Sequence, residues 1–153
     1  MRRALRNALL LTFPVLFGVG CNDDDSPTAP RRDTLTLRSI MPARATLLSR
    51  GQTTHFAAVL QYEFATSPRG SLIVTVLESW RSNLFDIRVE TLGQLDSRTG
   101  EVSVSVDVAI PPTAAGGTLD LTFSIIPEGA SEPSASAAAS YGVASQRLQL
   151  ELA

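Results

Sequence analysis

Few residues in this chain of 153 are equipped for chemistry. Cys21 is the only thiol and His55 the only histidine. A lone histidine cannot supply a zinc triad of imidazoles, and a lone cysteine cannot close an intrachain disulfide. No serine sits in a G-x-S-x-G elbow, and no glycine-rich loop leads a strand into a helix as a phosphate cradle would. Glu63, Glu78, Asp86 and Glu90 lie near predicted strand ends. A pair of such carboxylates can cleave a glycosidic bond, but charges so placed also serve to keep a sheet face wet. His55 falls on the predicted wet face of a strand, where a solvated ring without partners is expected. The inventory predicts no catalytic residue, no metal site and no cofactor. The segment Ser79-Trp80-Arg81-Ser82-Asn83 reads as a loop. Trp80, Arg81 and Asn83 together could stack on and hydrogen-bond a sugar or a peptide backbone. The competing reading folds the indole back over the edge of the core, where large aromatics usually lie.

What surrounds Cys21 gives its thiol a more definite task. Arg2, Arg3 and Arg6 form a positive head, and residues 8–17 are apolar around Pro14. Gly18-Val19-Gly20 leads directly into the cysteine. A basic head, a short apolar middle and small residues before the cut are the parts of an export signal. The apolar run is too short to cross a bilayer core, which takes about 20 residues. The whole resembles the leader of a bacterial lipoprotein precursor, with Gly18 where a leucine-like residue usually stands. The resemblance implies removal of residues 1–20, acylation of Cys21, and a protein held at a membrane of the cell envelope. The outer membrane or cell surface is the expected seat, ahead of inner-membrane retention. One acyl chain binds reversibly, at roughly 0.8 kcal/mol per buried methylene, whereas two or more hold firmly.

Removing the leader takes three arginines and no acid with it, so the formal charge moves from −2 to −5. With 13 arginines, no lysine and 15 acidic residues, the chain lacks the basic footprint of a nucleic-acid binder. Residues 22–32, NDDDSPTAPRR, carry three aspartates, two prolines and no large apolar side chain. They cannot pack a core, so residues 21–33 read as a flexible tether. Asp23-Asp24-Asp25 on such a segment lack the converging geometry of a metal site. Acidic residues directly after a lipidated cysteine resemble sorting signals for retention or surface display.

From Thr34 the pattern changes to alternation of period two, with successive side chains on opposite faces of a strand. Leu35 and Leu37 alternate with threonines. Phe56, Ala58, Leu60, Tyr62 and Phe64 share one face. Val102 through Ile110 alternate with Ser103, Ser105, Asp107 and Ala109, and Leu119 through Ile125 alternate with Asp120, Thr122 and Ser124. Phe85, Ile87 and Val89 repeat the pattern, which predicts a fifth stripe with one buried side. Residues 71–77 are apolar in both phases, which predicts a central strand covered on both sides. Ala137, Ala139, Tyr141 and Val143 form a last run that Leu148 and Leu150 extend. Turns are marked by residues 67–70, by residues 96–100 with Gly100 at a positive-φ position, by Pro111-Pro112, by Gly116-Gly117 and by a long loop over 128–136. Seven or eight short antiparallel strands with regularly spaced turns predict an all-β sandwich over 34–153, about the size at which one core suffices.

The stretch from Met41-Pro42 through Leu48-Ser49-Arg50-Gly51-Gln52-Thr53-Thr54-His55-Phe56 to Tyr62 resembles the opening of bacterial immunoglobulin-like lipoprotein domains. The similarity covers most of residues 34–143. It implies a disulfide-free immunoglobulin-like sandwich: there is no inter-sheet cysteine pair, and Trp80 is expected past the third strand. The function implied is a non-enzymatic, lipid-anchored interaction or structural module whose partners are the membrane, through Cys21, and an envelope protein or glycan. Two alternatives stand beside it: a carbohydrate-binding or carbohydrate-active protein using Trp80, and an accessory subunit of an adhesion or export complex that pairs through a sheet edge.

Overall fold

The computed structural model describes residues 31–81, 84–114 and 116–145, with residues 80, 81 and 84–86 described by their backbone only. Cys21, the aspartate run, Asn83, Leu148 and Leu150 lie outside the described residues. Among the described residues there are seven strands: β1 (Thr34–Met41), β2 (Gln52–Glu63), β3 (Gly70–Arg81), β4 (Leu84–Leu95), β5 (Thr99–Ile110), β6 (Thr118–Pro127) and β7 (Ala135–Gly142). They form two antiparallel sheets, β1-β2-β5 and β4-β3-β6-β7. The chain crosses between sheets after β2, β4 and β5, which gives the crossed connections of an immunoglobulin-like sandwich. There is no helix among the described residues.

The core is the sum of the inward phases. Phe56, Leu60 and Phe64 of the β2 segment face Leu72, Val74 and Val76 of β3, with Leu119, Leu121, Phe123 and Ile125 of β6 beside them, all almost fully buried. Tyr141 of β7 stacks obliquely on Phe56 across the layers, ring centroids 5.0 Å apart. Its hydroxyl donates to the Pro42 carbonyl at 2.9 Å, and burial pushes the phenol's pKa up while Arg44 pulls the other way. On this side the layers close: β1 packs beside β7, and the Leu48 N–H donates to the Gly142 carbonyl while the Ala144 N–H donates to Leu48. Leu48 and Val143 thereby bridge in parallel.

The two ends of the sandwich are distinct. Asp33 accepts the Ala65 N–H, Phe64 donates to Arg98, and Glu128 donates to Arg69, so the start of β1 joins the turns around 64–70, 95–99 and 127–134. Asp33 therefore belongs to the domain, not to the tether. Residues 41–52, 110–114, 116–118 and 142–145 gather at the opposite end.

Four expectations are corrected. Residues 71–77 do form a central strand, but only Leu72, Val74 and Val76 are buried; Ile73, Thr75 and Leu77 on the outer face are half-buried. Ile87 and Val89 are exposed, at 62% and 61%. The cause is a bulge: Leu72 opposes Gly93 whereas Ile73 opposes Thr91, which leaves Leu92 as an extra residue on β4. One inserted residue turns every side chain beyond it to the other face. Leu95 therefore points inward opposite Gly70, while Val89 and Ile87 fall outward opposite Thr75 and Leu77. Gly100 lies inside β5 and is not at a positive φ, since the positive-φ glycines are Gly51, Gly116 and Gly129. It is small for a different reason: a Cβ there would stand 2.8 Å from the Tyr62 hydroxyl oxygen. Finally, Ser79, Trp80 and Arg81 complete β3 and are not a loop.

Val106 is 3% exposed while Asp107 faces solvent. Val106→Asp should lose about 1.5–3 kcal/mol of apolar burial and leave an unpaired ion besides. Asp107→Asn should change stability by no more than about 0.5 kcal/mol, as surface changes usually do. Denaturant melts compare the two, and equal losses would contradict the strand's facing. Gly100→Ala should destabilise by about 1–3 kcal/mol through overpacking against Tyr62. The loss should shrink in a Tyr62→Phe background, which removes the nearest atom.

Candidate interaction surface

The strands bring together polar and charged groups that lie scattered along the sequence. On the solvent face of β1-β2-β5, His55 stands directly opposite Asp107, with Nδ1 2.6 Å from Oδ1. Both side chains are about two-thirds exposed, at 63% and 66%. The ring is on the wet face as the alternation predicts, but it has a partner, which a separation of 52 residues gave no means of finding. A carboxylate that fixes a histidine is one half of a nucleophilic triad. Directly opposed across β2 and β5, the two side chains form a cross-strand hydrogen-bonded pair of the kind that steadies a sheet.

Arg88 of β4 reaches the same place from the other layer. Its Nη2 donates to the Asp107 carbonyl at 3.0 Å, and the Glu90 carboxylate is 4.0 Å away. Arg88 and Glu90 oppose Val76 and Val74, so they occupy inward positions on β4, yet both remain about half exposed. This side of the sandwich, between the edge strands β4 and β5, is thus spanned by charge where the β1–β7 side is closed by packing. On the outer face of β4 the same stretch presents Ile87 and Val89 beside the half-buried Leu77.

A second feature is a shallow hollow of about 400 Å³ lined by Thr34, Thr36, Gln61, Glu63, Thr99 and Glu101. Cross-strand register places these side chains in rows, Thr34-Glu63-Thr99 and Thr36-Gln61-Glu101. The nearest aromatic is Tyr62, which is buried and hydrogen-bonded to the Ser97 hydroxyl at 2.9 Å, so it offers no face for a sugar to stack on. At the β1-start end, Arg69 hydrogen-bonds Glu128 and holds that carboxyl below the usual carboxylate range, against a smaller opposing effect of desolvation. Among the described residues no group of three or more His, Cys, Asp or Glu is placed to hold a metal ion.

The residues singled out from sequence divide sharply. Trp80 and Arg81 end β3, with Arg81 opposite Leu84, at the end of the sandwich remote from the start of β1. Asn83 and Cys21 lie outside the described residues. Of the four carboxylates near strand ends, Glu78 opposes Asp86 across the β3–β4 ladder, Glu90 neighbours Arg88, and Glu63 lines the hollow. Glu63 lies at the other end of the domain from Glu78 and Asp86.

No protein-family model matches this sequence, and no curated protein matches it. Similar solved structures include a Niemann-Pick type C2 protein from Japanese carpenter ant, at 6% identity over 76% of this chain and 96% of that one, TM-score 0.47. A family 123 glycoside hydrolase from Clostridium perfringens matches at 9% identity over 67% of this chain and 23% of its own, TM-score 0.41. The sporulation control protein Spo0M from Bacillus subtilis matches at 7% identity over 76% and 51%, TM-score 0.41. This chain is similar to parts of the latter two only. Likeness this distant carries no argument about activity.

If the charges between β4 and β5 join the two layers, Arg88→Ala should lower stability by about 0.5–1.5 kcal/mol, the usual net worth of a hydrogen bond. The loss should be nearly unchanged in an Asp107→Asn background, because Arg88 binds the backbone carbonyl and not the carboxylate. Urea melts of the single and double variants measure this.

Proposed function

We propose that this protein is a non-enzymatic interaction or structural module, lipid-anchored in a bacterial cell envelope. The observation that carries the reading is Cys21: the only thiol, set directly after a basic head, a short apolar run and three small residues. The rest of the chain supports it. An acidic, proline-bearing tether leads to an all-β domain whose exposed apolar side chains include two on one edge strand, Ile87 and Val89. Monomeric proteins rarely leave a long edge strand apolar, and edges of this kind take a further strand from a partner. That favours a protein partner over a glycan, and it keeps in view an accessory role within a larger envelope assembly. Trp80 lies at the end of β3 by its backbone, so the carbohydrate alternative would draw on a strand end in place of a loop.

Cys21→Ser tests the anchor. The variant should leave the membrane fraction, and its leader should no longer be removed at residue 20. A Cys21→Ser protein still fully membrane-bound would refute lipidation at this site. Cross-linking in the intact envelope before detergent extraction should capture the partner.

A further inference from the structure

We infer that the hollow beside Arg38 and Arg44 is a binding site for a phosphomonoester group. The hollow measures about 350 Å³ and is lined by Leu37, Arg38, Ser39, Ile40, Ala43 and Arg44. Small-ligand sites span roughly 300–1,000 Å³. It lies where β1 runs out, toward the end of the domain that gathers residues 41–52. The local backbone brings both arginines there. Leu37 opposes Leu60 whereas Ser39 opposes Val59, which leaves Arg38 as an extra residue on the edge strand β1. A bulge re-aims a side chain, and here Arg38 and Ser39 are both exposed before Ile40 returns to the core. Arg44 sits in the turn that follows, closed by the Thr46 N–H donating to the Ala43 carbonyl at 3.1 Å. Ala45 has a φ of 67° in this turn, a conformation usually left to glycine. Backbone strain of that kind clusters at functional sites. The entry to the turn is held from the core, by the Tyr141 hydroxyl donating to the Pro42 carbonyl at 2.9 Å.

The charges name the class of ligand. Among the described residues neither Arg38 nor Arg44 makes a hydrogen bond or an ion pair, while Asp107, Glu90 and Glu128 are engaged with His55, Arg88 and Arg69. No acidic residue lines the hollow. Two unpaired cations beside one hollow repel each other, and an anion between them turns that repulsion into attraction. Guanidinium groups stay charged at any ordinary pH, so the pair offers two positive charges. A phosphomonoester carries about −1.5 to −2 at pH 7 and three strong acceptor oxygens. Two planar donor forks and the Ser39 hydroxyl match that demand. A single carboxylate brings half the charge and would leave one arginine unanswered. Leu37, Ile40 and Ala43 supply an apolar wall for the organic part of the ester. The hollow at the start of β1 contains Glu63 and Glu101 and repels the same group, so the two ends of the domain differ in the charge they attract.

This goes beyond the interaction reading and does not rest on it, so the Cys21→Ser result leaves it untouched. The test titrates phenyl phosphate into the full mature chain in neutral detergent, followed by calorimetry. Binding should saturate at one site per chain. Arg38→Gln and Arg44→Gln should each weaken it at least about tenfold, as loss of a charge-assisted hydrogen bond implies. Arg38→Lys and Arg44→Lys keep the charge but not the fork, and should weaken it less. Arg98→Gln changes an exposed arginine just ahead of β5, at the other end of the domain, and should bind as wild type does. Both arginines of the hollow are exposed, so thermal melts of all variants should overlay the wild type and separate lost binding from lost fold. Inorganic phosphate and phosphatidic acid in the same micelles distinguish a free phosphate or a lipid headgroup from a soluble ester. Saturable binding of any of the three that depends on Arg38 and Arg44 supports the site. No saturation by any of them up to about 10 mM, Gln variants that bind as well as wild type, an equal loss in Arg98→Gln, or acetate that competes as well as phosphate would each overturn the proposal.

Discussion

The contact between Phe56 and Tyr141 is the one on which the rest of the sandwich depends. Phe56 belongs to the three-stranded sheet and Tyr141 to the four-stranded one, and their rings meet 5.0 Å apart. No cysteine comes after Cys21, so nothing covalent joins the layers. Aromatic burial and the fit of side chains between sheets must do what a disulfide does in antibody domains. The Tyr141 hydroxyl extends the joint by holding the Pro42 carbonyl, which fixes where the chain leaves β1. From there the segment at Leu48 is held against Gly142 and Ala144, and β2 begins in the register that buries Phe56.

The two long sides of the domain solve the same problem differently. Where β1 meets β7, apolar residues and backbone pairing close the layers. Where β4 meets β5, Arg88 spans the gap to a backbone carbonyl and His55 pairs with Asp107 on the surface above. Packing excludes water and is rigid; exposed charge tolerates water and can exchange partners. The domain is therefore sealed along one flank and chemically open along the other, and the exposed apolar pair Ile87 and Val89 lies on the edge strand of the open one.

Strand number, the all-β class and most facings were legible because period-two alternation is a direct record of burial. β2 and β5 read correctly in phase, and so did the inward phase of β6, but Ser124 of its outward phase is buried, at 5% exposure. β4 did not read correctly, because alternation shows that two faces differ but not which is inside, and a single extra residue at Leu92 reversed the assignment. Gly100 was placed in a turn on composition alone; its real constraint is Tyr62, 38 positions away in sequence and adjacent only once β2 and β5 pair. The His55–Asp107 pair was invisible for the same reason. Trp80 looked like loop because serine, arginine and asparagine surround it, whereas the pairing of β3 with β4 carries the ladder to Arg81. Cys21 is the opposite case: the expectation for it rests on the residues just before it and on no tertiary contact.

The chain begins β1 at the end of the sandwich where Asp33 holds Ala65, opposite the end where the 41–52 segment and the start of β6 gather. Whatever leads into β1 therefore approaches the domain from that end. A body held through its N-terminal segment would turn the other end, with the cis Met41-Pro42 turn and the Leu48–Val143 bridge, away from its support.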